Sequence, residues 1–341
     1  MTSTIRDVAR RAKVSVATVS RVIHKSPLVS EETRQKVMGV ISDLDYTPNP
    51  IAQRLSLGRT LTVGVVLPFL TLPSFVERLR GVQNALSDSG YDLILYSVEI
   101  PEKVDGYLNK LSRRDRVDGV IIVSLQPSVA HIQRFQASNI PAVLLDATHP
   151  SLSRVNVDDV VGGYKATSHL IKLGHRRIGF LSDYLDNPFN FVAMRKRFQG
   201  YRQALSDAGL PFLPEFQREG ELGGREAFQK AKELLSLSQA PTAIFAASDT
   251  HAIGVLKAAH ELGIQVPGQL SIIGYDGIRD SEYLNLTTVA QPLFESGVES
   301  ANLLLTTLID PPTSPIELIL PTELTLRGTT APPLQLHQSL P

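Results

Sequence analysis

Cysteine is absent from the 341-residue chain, which excludes a disulfide framework, a thiolate metal site and a cysteine nucleophile. No apolar run approaches the roughly 20 residues that span a bilayer, and no apolar secretory stretch opens the chain. Catalytic signatures are missing as well. There is no G-x-S-x-G elbow, phosphate loop or dinucleotide fingerprint, and the eight histidines fall at no metal-ligand spacing. These absences disfavour a membrane protein, an exported receptor and the common enzyme classes on α/β scaffolds. A cytoplasmic protein without metal, cofactor or turnover is expected.

What is present is a globular composition with an uneven charge. Hydrophobic residues make up 43% of the chain, and 341 residues suffice for two or three domains. The net charge is zero, yet residues 1 to 60 hold ten Lys and Arg against five Asp and Glu, so the remainder carries the compensating negative charge. A basic head on an acidic body fits one nucleic-acid face. A merely solvated basic surface would look the same by charge alone.

The head reads as three short helices. Thr4 caps the first with Asp7 as its capping-box partner, and Val8, Ala9 and Ala12 share one side. Ser15 caps the second, with Val19, Val22 and Ile23 inward. Ser30 caps the third, where Glu31 and Glu32 suit the positive N-terminus and Val37, Val40, Ile41 and Leu44 face inward. A tight turn between the first two makes a helix-turn-helix, whose second helix fits a DNA major groove. Beyond it, Asn49 as cap, Pro50 at the first helical position and Gly58 after the end outline a two-turn helix, too short to be stable alone in water.

From Leu61 onward, short apolar runs alternate with helical periods. The runs are 61–67, 91–98, 118–124, 141–146, 177–182, 242–247 and 271–275, with a further strand region at 316–326. Several helices end at glycine, namely Gly90, Gly174, Gly209 and Gly263. Repeated strand-helix units imply parallel sheets covered on both faces, and the number of strands suits two sheets. Ligands in such folds bind beyond the carboxyl ends of strands. Asp146 and Asp276 end strands there, and Ser248 with Asp249 opens a helix. Asp249 reads as a helix cap before a ligand. Phe69, Phe75 and Tyr275 offer a stacking wall or plain core.

TIRDVARRAKVSVATVSRVI, LDYTPNPIAQRL, HLIKLGHRRIGFL and SDTHAIGVLKAAHELGIQVPGQLSIIGYDGI together resemble the lactose/galactose-repressor (LacI/GalR) family of bacterial transcription regulators. The resemblance runs from about Thr4 to Thr329. It implies a small all-α helix-turn-helix head (1–47), a hinge helix or linker (48–60) and an α/β two-lobed effector and dimerisation domain of the periplasmic-binding-protein kind (61–329). The lobes then comprise about 61–158 with 292–319, and 159–291 with 320–329, crossing near Asp158, Gln291 and Leu320. Residues 330–341 are expected to be a flexible tail.

The same resemblance assigns roles. Val16, Ala17 and Arg21 fall on base-contacting positions: Arg21 suits two guanine acceptors at once, and the two apolar side chains suit thymine methyls. Ser15, Thr18, Ser20, His24 and Thr33 fall on phosphate-contacting positions. Asn49, Ala52 and Leu55 belong to the hinge, with Leu55 as a minor-groove wedge. Lys13 stands where many relatives have glycine or asparagine. In the cleft, Arg197 and Asp276 match the family's effector-binding pair, and Phe75, Asp146, Ser248 and Tyr275 complete the expected set. Leu222 and Leu293 occupy places where some sugar-binding relatives carry an aromatic. The implied protein is a homodimeric repressor on a near-palindromic double-stranded operator, controlled by a saccharide or sugar phosphate; purines, other metabolites and partner proteins also occur as effectors. The last residues lack heptads, so a dimer is expected.

Overall fold

Thr4 begins the ordered head by turning its amide and hydroxyl onto the Asp7 carboxylate, at 3.0 and 2.6 Å. The computed structural model describes residues 3–23, 26–47 and 58–334. The expected hinge helix with Asn49, Ala52 and Leu55, the phosphate-contacting His24, and tail residues 335–341 lie outside the described residues. Helices α1 (Ile5–Ala12), α2 (Val16–Ile23) and α3 (Glu31–Asp43) form the head. Val8, Ala12, Val19, Val22 and Val37 are its buried centre, with Val40, Ile41 and Leu44 packed against them. Lys13 ends α1 at φ 54°, ψ 44°. A left-handed lysine costs roughly 1–2 kcal/mol, since its Cβ crowds the following carbonyl oxygen. Residues through Thr60 and those from Leu61 form two separate compact units.

The second unit begins with alternating strands and helices: β1 (Thr62–Pro68), α4 (Pro73–Leu86), β2 (Asp92–Val98), α5 (Glu102–Leu111), β3 (Gly119–Val123), α6 (Val129–Ala137), β4 (Ala142–Leu145) and β5 (Ser153–Val157). It continues through α7 (Asp159–Lys172), β6 (Ile178–Asp183), α8 (Ala193–Asp207), β7 (Gln217–Gly220), α9 (Gly224–Leu235), β8 (Ala243–Ala246), α10 (Asp249–Glu261), β9 (Ser271–Asp276), α11 (Arg279–Tyr283) and β10 (Thr288–Ala290). The last elements are α12 (Leu293–Ile309), β11 (Glu317–Leu320) and β12 (Glu323–Thr325). Two six-stranded sheets result, in the orders β11-β5-β4-β3-β1-β2 and β12-β10-β9-β8-β6-β7. The expected pair of parallel sheets is present, and β12 alone runs antiparallel, against β10.

The chain passes between sheets three times: after β5, between β10 and α12, and between β11 and β12. The expected single strand region at 316–326 is therefore two strands in different sheets. Strands β5, β7 and β10 did not stand out as apolar runs. They read SRVNV, QREG and TVA, too short or too polar to register. The β1 and β3 strands are buried throughout, as strands covered on both faces must be.

Glycines set the closest helix pairs. A Cβ on Gly81 of α4 would lie 1.9 Å from the Phe294 carbonyl of α12, and one on Gly297 would lie 2.0 Å from the Arg78 carbonyl. In the other lobe Gly163 of α7 and Gly200 of α8 make the same kind of approach, with the Gly200 Cβ falling 2.1 Å from the Val160 carbonyl. Thr330 and Ala331, expected in a flexible tail, are held in place. Thr330 Oγ1 bonds His169, and Ala331 bonds His175 and Ser271, so these two residues are fastened to the second sheet. His175 holds both edges of that fastening, consistent with a local structural role.

Candidate functional site

The cleft is built where strands stop. Ser124 follows β3 at φ 54°, Asp146 follows β4 at φ 58°, and Asp276 ends β9 at φ 114°. Side chains other than glycine rarely adopt such backbone, which costs of order 1–3 kcal/mol each and concentrates at ligand sites. Ser124 Oγ donates to Asp146 Oδ2 at 2.6 Å, which holds the first lobe's carboxylate in place.

Two arginines project from the glycine-pinned helices. Arg78 of α4 is 4% exposed. Its Nη2 donates to Gln291 Oε1 at 3.0 Å and lies 3.5 Å from Asp146 Oδ2, while its buried Nε has no partner among the described residues. Arg197 of α8 is 3% exposed. Its Nε donates to Asp159 Oδ1 at 2.8 Å, and its Nη1 donates to the Ala247 carbonyl at 2.7 Å and Asp276 Oδ1 at 3.2 Å. Gln291 Nε2 donates to the same Asp276 oxygen at 2.6 Å. An unbroken polar chain thus runs Arg78–Gln291–Asp276–Arg197–Asp159 from one lobe to the other. Burial acts to lower the Arg197 guanidinium, but Asp159 and Asp276 outweigh it and hold the group firmly charged. Burial pushes the Asp159 and Asp276 carboxyls upward, and Arg197 pulls both down.

A second polar set lies on the wall formed by β6 and α10. His251 Nε2 faces Asp183 Oδ1 at 2.9 Å, and His251 Nδ1 faces Ser248 Oγ at 2.5 Å. Ser248 also caps α10 by accepting the His251 amide at 3.2 Å. The same Ser-x-x-His cap recurs at Ser128 and His131, so the Ser–His pair by itself is a helix-start device. Leu72, Phe75, Phe191, Val192, Met194 and Leu222 supply the apolar walls. The empty space between these walls is about 710 Å³ with the open solvent at its mouth included.

Of the expected ligand residues, Phe75, Asp146, Arg197, Ser248 and Asp276 line this cavity. Tyr275 does not, and that expectation is corrected. Its side chain is 0% exposed in the second lobe's core, and Arg197 lies over its ring at 3.7 Å. Tyr275 therefore backs the arginine from behind, because successive strand residues point to opposite faces. Asp249, expected as a helix cap before a ligand, is neither, since Ser248 takes the cap and Asp249 is the first helical residue. Its Oδ2 accepts the Gly277 and Ile278 amides and its Oδ1 the Thr288 hydroxyl, fastening the turn that follows Asp276. Leu222 lines the cavity, whereas Leu293 is buried elsewhere. Phe69 packs edge-on against Phe189 at 5.1 Å, joining the two lobes beside the cleft.

Arg78, Asp183, His251 and Gln291 were not anticipated. Arg78 offered one signal, a charge on the inward stripe of α4 between Phe75 and Val82. Gln291 was expected only as a crossing between lobes, and its pairing with Arg78, 213 residues away in sequence, had no local signal.

In the head, Ser15 accepts the Thr18 amide at 3.0 Å and so caps α2. Val16, Ala17 and Arg21 are exposed on that helix, Val16 to 42%. An apolar side chain left open at a helix start, next to an exposed arginine, suits a major groove. Thr18 and Ser20 are half-buried beside them, and Thr33 is half-buried at the start of α3 with its amide capped by Ser30.

Residues 4–49 match the family described as bacterial regulatory proteins, lacI family, and residues 167–330 match the periplasmic binding protein-like domain. Over 308 residues the chain is 35% identical to the HTH-type transcriptional repressor PurR of Actinobacillus pleuropneumoniae serotype 3 (strain JL03), covering 89% of this chain and 90% of the relative. The chain belongs to the LacI family. This LacI-family chain also resembles the lac repressor dimer bound to operator and the anti-inducer ONPF, with a TM-score of 0.85, 29% identity, and coverage of 97% and 100%. A CelR–cellobiose complex matches at a TM-score of 0.71 and 31% identity over 96% of this chain and 99% of that one. As a LacI-family transcriptional repressor it pairs a DNA-binding head with an effector-binding domain. Its relatives are transcription regulators rather than enzymes. Among the described residues, no helix is long and apolar enough to cross a membrane, and no group of acidic or histidine side chains could hold a metal.

Proposed function

We propose that the chain binds a near-palindromic operator as a homodimer and that a saccharide in the cleft changes its grip on that operator. The observation that carries this reading is the polar chain from Arg78 to Asp159, which joins both lobes through Gln291. A hydroxylated ligand exchanging hydrogen bonds with its members changes the attachment of one lobe to the other. Residues 48–60 then transmit that change to the head. Coupling of about 1–3 kcal/mol is usual for such linkage. The relative solved with cellobiose supports a sugar in this fold, and the carboxylates at the strand ends suit hydroxyl donors.

In this reading Val16, Ala17 and Arg21 read bases, and Ser15, Thr18, Ser20 and Thr33 set the register on phosphates. The operator is found by enriching bound duplexes from a randomised pool with the full chain. Arg21→Ala should then weaken binding about 10-fold or more and relax selection at one base pair per half-site, since a bidentate guanine contact is worth roughly 1–3 kcal/mol. Equal enrichment of non-symmetric duplexes, or no response of operator affinity to any saccharide, would refute the proposal.

A further inference from the structure

The two lobes set an arginine and an aspartate at equivalent points. Their sheets have matching orders, so β1 and β4 of the first lobe correspond to β6 and β9 of the second. The helix after β1 is α4, and the helix after β6 is α8. At three-residue steps α4 carries Phe75, Arg78 and Gly81, and α8 carries Met194, Arg197 and Gly200. Phe75, Arg78, Met194 and Arg197 all line the cavity, and each glycine makes the close helix crossing one turn further on. Facing each arginine is the aspartate at the end of the corresponding strand, Asp146 after β4 and Asp276 in β9, both at positive φ. Arg78 Nη2 lies 3.5 Å from Asp146, and Arg197 Nη1 lies 3.2 Å from Asp276.

The correspondence fails at one place. Helix α7 starts with Asp159, four residues before Gly163, and α12 starts with Leu293, four residues before Gly297. Asp159 holds Arg197 Nε at 2.8 Å, whereas a leucine has no acceptor to give. Arg78 Nε is buried without a partner among the described residues. Arg78 thus pairs with one carboxylate where Arg197 pairs with two. Arg78 Nη1 and Asp146 Oδ1 carry no hydrogen bond from the described residues, and neither do Arg197 Nη2 and Asp276 Oδ2. Each pair therefore keeps one donor and one acceptor.

A guanidinium beside a carboxylate matches a vicinal diol. One diol oxygen accepts from the guanidinium, and the neighbouring hydroxyl donates to the carboxylate. Only the Gln291 amide stands between the two pairs, its Oε1 on Arg78 and its Nε2 on Asp276, so a single sugar ring reaches both. We propose that Arg78 and Asp146 form a second effector-binding pair, and that the effector is a monosaccharide or cyclitol ring offering one vicinal diol to each lobe. This rests on the saccharide reading above and narrows it. Arg78, with fewer carboxylates of the protein to hold it, is the specificity-determining residue of the first lobe.

The test measures calorimetric binding of glucose, galactose, mannose, myo-inositol and cellobiose to the full chain, then of the monodeoxy analogues of the tightest single ring. Removing a hydroxyl on either of two separate sides of that ring should weaken binding about tenfold or more, since a site built to bond a hydroxyl rejects a ligand lacking it. Arg78→Lys keeps the charge and removes the planar fork. It should weaken the parent ring about tenfold and add little further loss for one set of deoxy analogues, with Arg197→Lys doing the same for the opposite set. A folded Arg78→Lys that binds every ring as before, or weakens all analogues by one factor, overturns the proposal. Where that variant does not fold, the deoxy series on the unaltered chain decides, and losses confined to one side of the ring overturn it. Binding of cellobiose without any single ring overturns it while leaving the saccharide reading intact. If none of the sugars binds, the saccharide reading itself fails and takes this proposal with it.

Discussion

Arg78 on the first lobe donates to Gln291 at the crossing between lobes at 3.0 Å, and Gln291 passes the contact on to Asp276 at 2.6 Å. Neither end of this bridge meets water freely, since Arg78, Gln291 and Asp276 are all buried. Gln291→Ala should leave a guanidinium proton and a carboxylate oxygen without their bridge. The expected loss is about 2–4 kcal/mol, as unsatisfied buried groups cost roughly 1–3 kcal/mol and charged ones more. Urea unfolding measures it. A change below about 0.5 kcal/mol would mean that the bridge contributes nothing net.

Arg197 sits between Asp159 and Asp276 with its face on Tyr275. Arg197→Met should cost about 3–5 kcal/mol, because it strands two buried carboxylates beside each other. Adding Asp159→Leu should return part of that loss, and a double-mutant cycle gives the coupling. Additivity of the two changes would argue that no such pairing exists in solution. The corollary is practical: loss of ligand response on removing Arg197 must be read beside its melting temperature.

Gly200→Ala should cost about 1–3 kcal/mol through overpacking and displace α8, which carries Arg197. Gly106→Ala in α5 is the matched control. A Cβ there meets nothing within 4 Å, so the change should stabilise by about 0.5–1 kcal/mol through helix propensity. Equal melting temperatures for the two variants would contradict the tight crossing of α7 and α8.

Burial drives the Asp249 carboxyl up to about 7, and the Asp276 charge pushes the same way. Hydrogen bonds from Thr288, Ile278 and Gly277 oppose the rise. A folded state that holds this proton more tightly than the unfolded chain loses stability as pH rises from 3.8 towards about 7. Burial lowers His169 and His175 from 6.5, so their contribution has the opposite sign and is lost as pH falls below that value. Asp249→Asn should therefore lessen the decline between those limits, leaving the part due to Asp159 and Asp276, which burial also raises, and the acid loss due to the histidines. Denaturant midpoints across pH 4 to 8 for both proteins show it. Parallel curves would mean that Asp249 titrates alike folded and unfolded.

Local chemistry wrote the head and most of the sheet plainly into the chain. Ser15, Ser30 and the Thr4–Asp7 box mark helix starts because a cap satisfies orphan amides within three residues of itself. The long apolar strands announce themselves because both their faces are covered. Asp146 and Asp276 were legible at the cleft because a strand's carboxyl end is where such folds bind ligands. Tertiary structure alone decided the rest. It turned Tyr275 into the backing of Arg197 and gave Asp249 three donors of its own. It also brought Arg78 to Gln291 and Asp183 to His251 across 213 and 68 residues. Pairings at that separation depend on how two sheets share three crossings, a relation between distant segments that no local pattern of residues encodes.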